Sequence, residues 1–156
     1  MRVKVADFGL AKPIGGEGVV AGTWYSSAPE CFLAGYGKEV EQLVTIGPKA
    51  DSFSAGIVLA EFVLRAFPYG DRISGRIDPN LITRRIIHEG LRPKLPDNVP
   101  PPLVSLMSDC WNADIEQRPT FSEIITTIKA FPTRRWDELY PPRPVPMDHV
   151  AFRVQE

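Results

Sequence analysis

The chain has 156 residues, 44% of them apolar and 24% charged, with a net charge of −1. This length and composition allow one globular domain with a substantial core. The near-zero net charge excludes a field that would steer nucleic acid or an anionic membrane onto the surface, and the opening Met1-Arg2-Val3-Lys4-Val5 alternates instead of forming the apolar run of a signal peptide.

Val3 and Val5 alternate with Arg2 and Lys4, which predicts a short half-buried strand. Leu10-Ala11-Lys12 is read as a second strand, so the chain opens on a short β-hairpin around Asp7-Phe8-Gly9. Four glycines from Pro13 to Gly22, the last included, predict a mobile loop. A short helix is expected from Pro29 to Leu33, with the proline at a tolerated first-turn position. Residues 34–50, with glycines, Pro48 and mixed charge, read as a long surface loop.

Asp51 to Leu64 is the stretch around which the rest is arranged. Asp51 is read as the N-cap, its carboxylate taking the free backbone N–H groups of the first turn. Phe53, Ile57, Val58, Leu59, Phe62, Val63 and Leu64 point all round the helix, which predicts a buried central element. The run is too short for a membrane span and carries Glu61 at its centre. Gly56 costs about 1 kcal/mol of helix propensity, so another element is expected to pass close to the backbone there.

Pro68-Tyr69-Gly70-Asp71 signals a turn. Asp78-Pro79 provides a cap and a first-turn proline for a helix running to about Glu89, with Gly90 as its stop. Residues 91–99 read as extended. After Pro100-Pro101-Pro102, Leu103, Leu106, Met107, Cys110 and Trp111 fall on one helical face. Thr120-Phe121-Ser122-Glu123 is a capping box opening a last helix to Phe131. Residues 132–156 are a proline-rich tail. The fold class is therefore mainly α. Cys31 and Cys110 lie far apart among apolar neighbours, which fits buried thiols in a reducing compartment, read here as the cytoplasm.

Taken singly, the short motifs are weak, but their order and spacing are specific. Asp7-Phe8-Gly9 follows the first strand, and Ala28-Pro29-Glu30 comes about twenty residues later after Gly22-Thr23. Asp51, Ser54 and Gly56 open the central helix, and Cys110-Trp111, Asp114 and Arg118-Pro119-Thr120-Phe121 close the set. At these four places the chain resembles the C-terminal half of a eukaryotic protein kinase domain. The resemblance covers about residues 2–131, a partial C-lobe from Asp-Phe-Gly onward, and leaves 132–156 as a tail.

The resemblance implies roles residue by residue. Asp7 would hold Mg²⁺ against the β- and γ-phosphates of ATP, as a hard oxygen ligand. Phe8 would pack under the helix that controls the active state, and Gly9 would let the backbone flip. Residues 7–30 would be the activation segment, with Gly22–Ser27 docking the substrate peptide. Thr23 resembles the threonine that contacts the catalytic aspartate and its lysine in serine/threonine kinases. Together with the Cys110-Trp111 and Arg118–Phe121 style, it implies a tyrosine-kinase-like serine/threonine kinase. Thr23, Tyr25, Ser26 and Ser27 are candidate phosphosites, or structural hydroxyls. Glu30 and Arg118 would form a buried structural ion pair, and Asp51 would anchor the catalytic loop. The sequence departs from the family pattern at Phe53, where Trp is usual, at Ala55, where Phe is common, and at Ser26-Ser27, which replace an aromatic–Met pair. The connection at 34–50 is also longer than usual.

A complete kinase domain further needs a glycine-rich loop, a strand lysine, a helix glutamate and a His-Arg-Asp loop with its Asn. The 156 residues contain none of these. The expected activity is transfer of the ATP γ-phosphate to protein hydroxyls, with Mg²⁺, in the complete domain only. The partners are a protein substrate and the N-terminal half of the kinase domain. The alternative is a non-catalytic regulatory module that docks a partner through the Asp78–Glu89 helix. Part of Ile57–Leu64 should be open to solvent or covered by the Trp136–Pro146 tail. Genomic reads upstream of the Met1 codon should continue in frame into a His-Arg-Asp loop, with Lys two residues on and Asn about five after the Asp. A stop codon directly before Met1, with no kinase-coding exon nearby, would favour the binding module.

Overall fold

The computed structural model describes residues 4–9, 11, 23–36, 46–70 and 78–131. Among them are five helices: α1 (Pro29–Tyr36), α2 (Pro48–Leu64), α3 (Pro79–His88), α4 (Pro101–Cys110) and α5 (Phe121–Ala130). The architecture is mainly α, as the sequence implies. The expected N-terminal hairpin falls in part on residues 2, 3, 10 and 12, outside the described residues, and residues 4–9 and 11 carry no strand. The glycine-rich stretch before Thr23 and the tail after Phe131 also lie outside them.

The helix boundaries follow local chemistry. Asp78 caps α3, its carboxylate accepting from the Asn80 N–H at 2.9 Å. Gly90 stops it in a left-handed conformation at φ 66°. Thr120 and Glu123 cap α5 reciprocally, and hydrogen bonds from the Thr120 backbone and hydroxyl hold the Glu123 carboxyl below the usual carboxylate range.

Two boundaries differ from the sequence reading. Asp51 is not the N-cap of the central helix. Gly47 is, with Pro48 at the first helical position, so Asp51 lies exposed within the first turn. Proline's fixed φ suits that position and its absent N–H is lost to no bond there, so the helix starts one turn earlier. The 34–50 loop is shortened accordingly at both ends, because α1 continues to Tyr36.

The core is built on α2. Phe53, Ile57, Ala60 and Val63 are buried and cluster with Leu103, Met107 and Trp111 from α4 and its end, with Ile86 of α3, and with Ala28 before α1. Leu91 and Leu95 pack against this cluster, and Val99 is buried within it. A smaller cluster joins Leu106 and Cys110 of α4 to Ile124 of α5, with Leu59 of α2 packed against it. Burial of α2 is not all-round, however. Val58 is 42% and Phe62 68% exposed, because α2 packs chiefly against α4 on one flank. Beside them an apolar cavity of about 280 Å³ opens, lined by Leu59, Phe62, Val63, Leu103 and Met107.

The helix–helix contact depends on Gly56. A Cβ placed there would lie 2.7 Å from the Cys110 Cβ and 3.4 Å from the Met107 carbonyl oxygen. The glycine therefore sets how near α2 and α4 approach. Gly56→Ala should lower the urea midpoint, overpacking of about 1–3 kcal/mol outweighing the gain of about 1 kcal/mol in helix propensity. A midpoint equal to or above that of the native chain would show that α4 can move aside at no cost.

Candidate functional site

The described site is organised by one buried cation. Arg118 is 1% exposed and lies in the connection between α4 and α5. That connection is folded by its own side chains: Asn112 Oδ1 accepts from the Asp114 N–H at 3.0 Å, and Asp114 Oδ1 accepts from the Glu116 N–H at 3.0 Å. The turn presents Arg118 to the first turn of α1. There its Nη1 and Nη2 donate to Glu30 Oε1 and Oε2 at 2.5 and 3.0 Å, across 88 residues of sequence. Nε also bonds the Asn112 carbonyl at 2.9 Å and Nη1 the Lys49 carbonyl at 3.2 Å, so each guanidinium nitrogen has a partner. A fork-on-fork pair with further hydrogen bonds to backbone carbonyls is the geometry in which a buried ion pair can offset its desolvation cost.

Lys49 returns the contact. Its ammonium donates to the Arg118 carbonyl and, at 3.4 Å, to the Glu116 carbonyl. The first turn of α2 and the α4–α5 connection thus hold each other through two cations and backbone oxygens. Sequence reasoning missed Lys49, since its partners are main-chain atoms 67 and 69 residues away and have no side-chain signature.

The loop before α1 is closed on itself. The Thr23 carbonyl accepts the Ser26 and Ser27 N–H groups at 3.0 and 3.1 Å, and their hydroxyls donate to it at 3.2 and 3.0 Å. Both serine hydroxyls therefore have a structural role. Trp24 and Tyr25 meet edge-on at 5.3 Å and both pack on Phe67, which in turn meets Tyr69 at 6.2 Å. This aromatic chain fastens the loop to the segment after α2. Burial raises the pKa of the Tyr69 hydroxyl. Burial likewise raises the Cys31 thiol, and pushes Cys110 up to about 11. Both cysteines are free and stay protonated at neutral pH, although Cys31 is only half-buried.

The residues singled out for chemistry lie at the surface. Asp7 is exposed with a left-handed backbone at φ 65°, a conformation that an aspartate tolerates better than most residues. Phe8 is 67% exposed, so its ring is not packed in the core. Thr23 and Asp51 are exposed as well. Among the described residues no three His, Cys, Asp or Glu side chains gather into a metal-binding group. The structure thus joins Glu30 and Arg118 and leaves Asp7, Thr23 and Asp51 facing outward.

Comparison with known proteins agrees with this architecture. The family described as "Protein tyrosine and serine/threonine kinase" matches residues 1–128. The chain belongs to the protein kinase family. It is 38% identical over 125 residues to the probable serine/threonine-protein kinase roco7 of Dictyostelium discoideum, covering 78% of this chain and 4% of that protein. It is 37% identical over 130 residues to the serine/threonine-protein kinase STY46 of Arabidopsis thaliana, covering 81% and 20%. Human mitogen-activated protein kinase kinase kinase 7 is 37% identical over 128 residues, covering 79% and 18%. The chain thus spans a fifth or less of the length of these relatives.

Arg118→Ala leaves Glu30 buried without its partner and should destabilise the chain by about 3–5 kcal/mol. Lys94→Ala, at an exposed position, should change stability by less than about 0.5 kcal/mol. Urea denaturation of both variants checks this, and equal midpoints would refute the central place given to the pair.

Proposed function

We propose that the chain is the C-terminal part of a serine/threonine protein kinase catalytic domain, of the tyrosine-kinase-like kind, which transfers the γ-phosphoryl group of ATP to hydroxyls of a protein substrate. The observation that carries this reading is the bidentate Glu30–Arg118 pair, which secures the end of the segment that begins at Asp7-Phe8-Gly9. A segment that docks a peptide for phosphoryl transfer must be held in place, because that chemistry depends mostly on positioning and charge stabilisation. Thr23 supports serine/threonine specificity through its resemblance to the threonine of serine/threonine kinases, and its carbonyl closes the turn before α1.

An exposed carboxylate on a constrained backbone suits one ligand position for Mg²⁺, which binds through one or two carboxylates together with phosphate oxygens and water. Asp7 is the residue that would hold it. When bound, the ion neutralises charge developing on the β- and γ-phosphate oxygens. Asp51 is proposed to hold backbone of the catalytic loop from the first turn of α2. The 156 residues on their own are proposed to be inactive, since they contain no other nucleotide-binding motif. The two free thiols suit a reducing compartment, and the cytoplasm is the location proposed. No helix among the described residues is long and apolar enough to cross a membrane.

The second reading, a non-catalytic kinase-like module, is favoured by one feature. Leu81 on α3 is 53% exposed, as an anchor for a partner would be.

Calorimetry of the purified 156-residue chain with Mg²⁺–ATP should detect no binding in the micromolar range. In a longer polypeptide that supplies the upstream motifs, Asp7→Asn should abolish transfer to a serine- or threonine-containing peptide. Phosphate transfer that survives Asp7→Asn would overturn the role given to this carboxylate. A longer polypeptide with all the motifs and no transfer would favour the binding module.

A further inference from the structure

Phe53 is fully buried near the start of α2. Two guanidinium groups lie over its ring, with the Arg92 Cζ 4.9 Å and the Arg118 Cζ 5.1 Å from the ring centroid. Both distances fall within the range in which the negative face of an aromatic ring attracts a cation. Arg92 comes from a different part of the chain, the extended segment after α3. Its Nε donates to the Trp111 carbonyl at 3.0 Å, and its Nη1 to the carbonyls of Leu91 and Ile86 at 2.9 and 3.3 Å. These contacts place it against the C-terminal ends of α3 and α4, where carbonyl dipoles favour a positive charge.

The charge balance around this ring is uneven. Glu30 is paired with Arg118, and Arg92 adds a second cation close to the same pair. Burial lowers the pKa of Arg92, and of the two members of the pair Arg118 lowers it while Glu30 raises it. The guanidinium nevertheless remains protonated, as arginine does in proteins. The surplus charge is met by three carbonyl oxygens and by the ring of Phe53. The ring is thus the neighbour shared by both cations.

We propose that Arg92 is a positioning residue for the Glu30–Arg118 pair and acts through the ring of Phe53. The segment after α3 is thereby linked energetically to the first turn of α1. Its consequence for substrate docking rests on the kinase reading above, whereas the linkage itself does not.

The test uses the full 156-residue chain carrying phenylalanine with one, two or three ring fluorines at position 53, which weaken the negative face while keeping the shape. The folding equilibrium constant should fall stepwise, by roughly three- to thirtyfold across the series. The dependence should be shallower in Arg92→Met. Nitrogen-resolved NMR reads the pair itself: exchange of the Arg118 guanidinium protons with water should quicken in Arg92→Met, and less so in Arg92→Lys, and its response to added fluorines should be smaller in Arg92→Met than with Arg92 intact. A flat fluorination series, an equal slope in Arg92→Met, or unchanged Arg118 exchange would each overturn the proposal. If Arg92→Met does not fold, the same fluorinated series is run in Arg92→Lys: Arg118 exchange that responds less to added fluorines than with Arg92 intact supports the linkage, and an equal response refutes it. Because no arm reads phosphate transfer, failure here leaves the kinase reading standing.

Discussion

A carboxylate buried in a protein must be matched donor for acceptor, or it costs more than the fold gains. Glu30 meets that condition through one residue, and the surrounding architecture follows from satisfying both. Arg118 reaches Glu30 because the α4–α5 connection is folded by Asn112 and Asp114. It stays there because its Nε and Nη1 also bond the carbonyls of Asn112 and Lys49. Each of those oxygens belongs to a different segment. The pair therefore fixes three pieces of chain at once: the start of α1, the start of α2 and the approach to α5. An apolar pair of similar volume could fill the same space, but it would not specify which backbone atoms must meet.

The central helix supplies the surface on which this happens. Complete burial of a Phe or Ile side chain contributes about 1.5–3 kcal/mol, so Phe53 and Ile57 alone account for a large part of what holds α2 in place. Gly56 lets α4 approach to the distance at which Cys110 and Trp111 pack. The other flank, with Val58 and Phe62, faces solvent beside the apolar cavity. α2 has apolar residues on every side, and its neighbours leave the flank of Val58 and Phe62 uncovered.

Sequence reasoning recovered what is local. The Asp78 cap, the Thr120–Glu123 box and the buried face of α4 each sit within a few residues and have a side-chain signature. It placed the start of α2 one turn late, because Asp51 and Pro48 are both good starting residues and only the surrounding backbone decides between them. All-round burial of α2 is read from apolar residues pointing to every side, which cannot say where neighbours lie, whereas the expectation that part of Ile57–Leu64 opens to solvent is met by Val58 and Phe62. Lys49 and Arg92 were invisible for a different reason. Their partners are main-chain oxygens brought close by the fold, and no periodicity marks such oxygens in advance. The meeting of Glu30 with Arg118 is also beyond periodicity, and only the resemblance to a family suggested it.

The residues divide by how their polar groups are satisfied. Glu30, Arg118, Arg92 and Lys49 are bonded within the chain, with ring or backbone partners wherever a carboxylate is lacking. Asp7, Thr23 and Asp51 stand exposed, at little cost to stability, and available to groups that are not part of these helices. On the proposed reading this division has a mechanical sense. Phosphoryl transfer asks little covalent chemistry of a protein and much positioning, and a displacement of about 1 Å at the substrate can cost about a hundredfold in rate. Rigidity must then come from somewhere other than the reacting groups, which have to remain free to meet nucleotide and peptide. Buried Arg118 and half-buried Arg92, both over Phe53, can supply it because their partners belong to this chain and not to nucleotide or peptide.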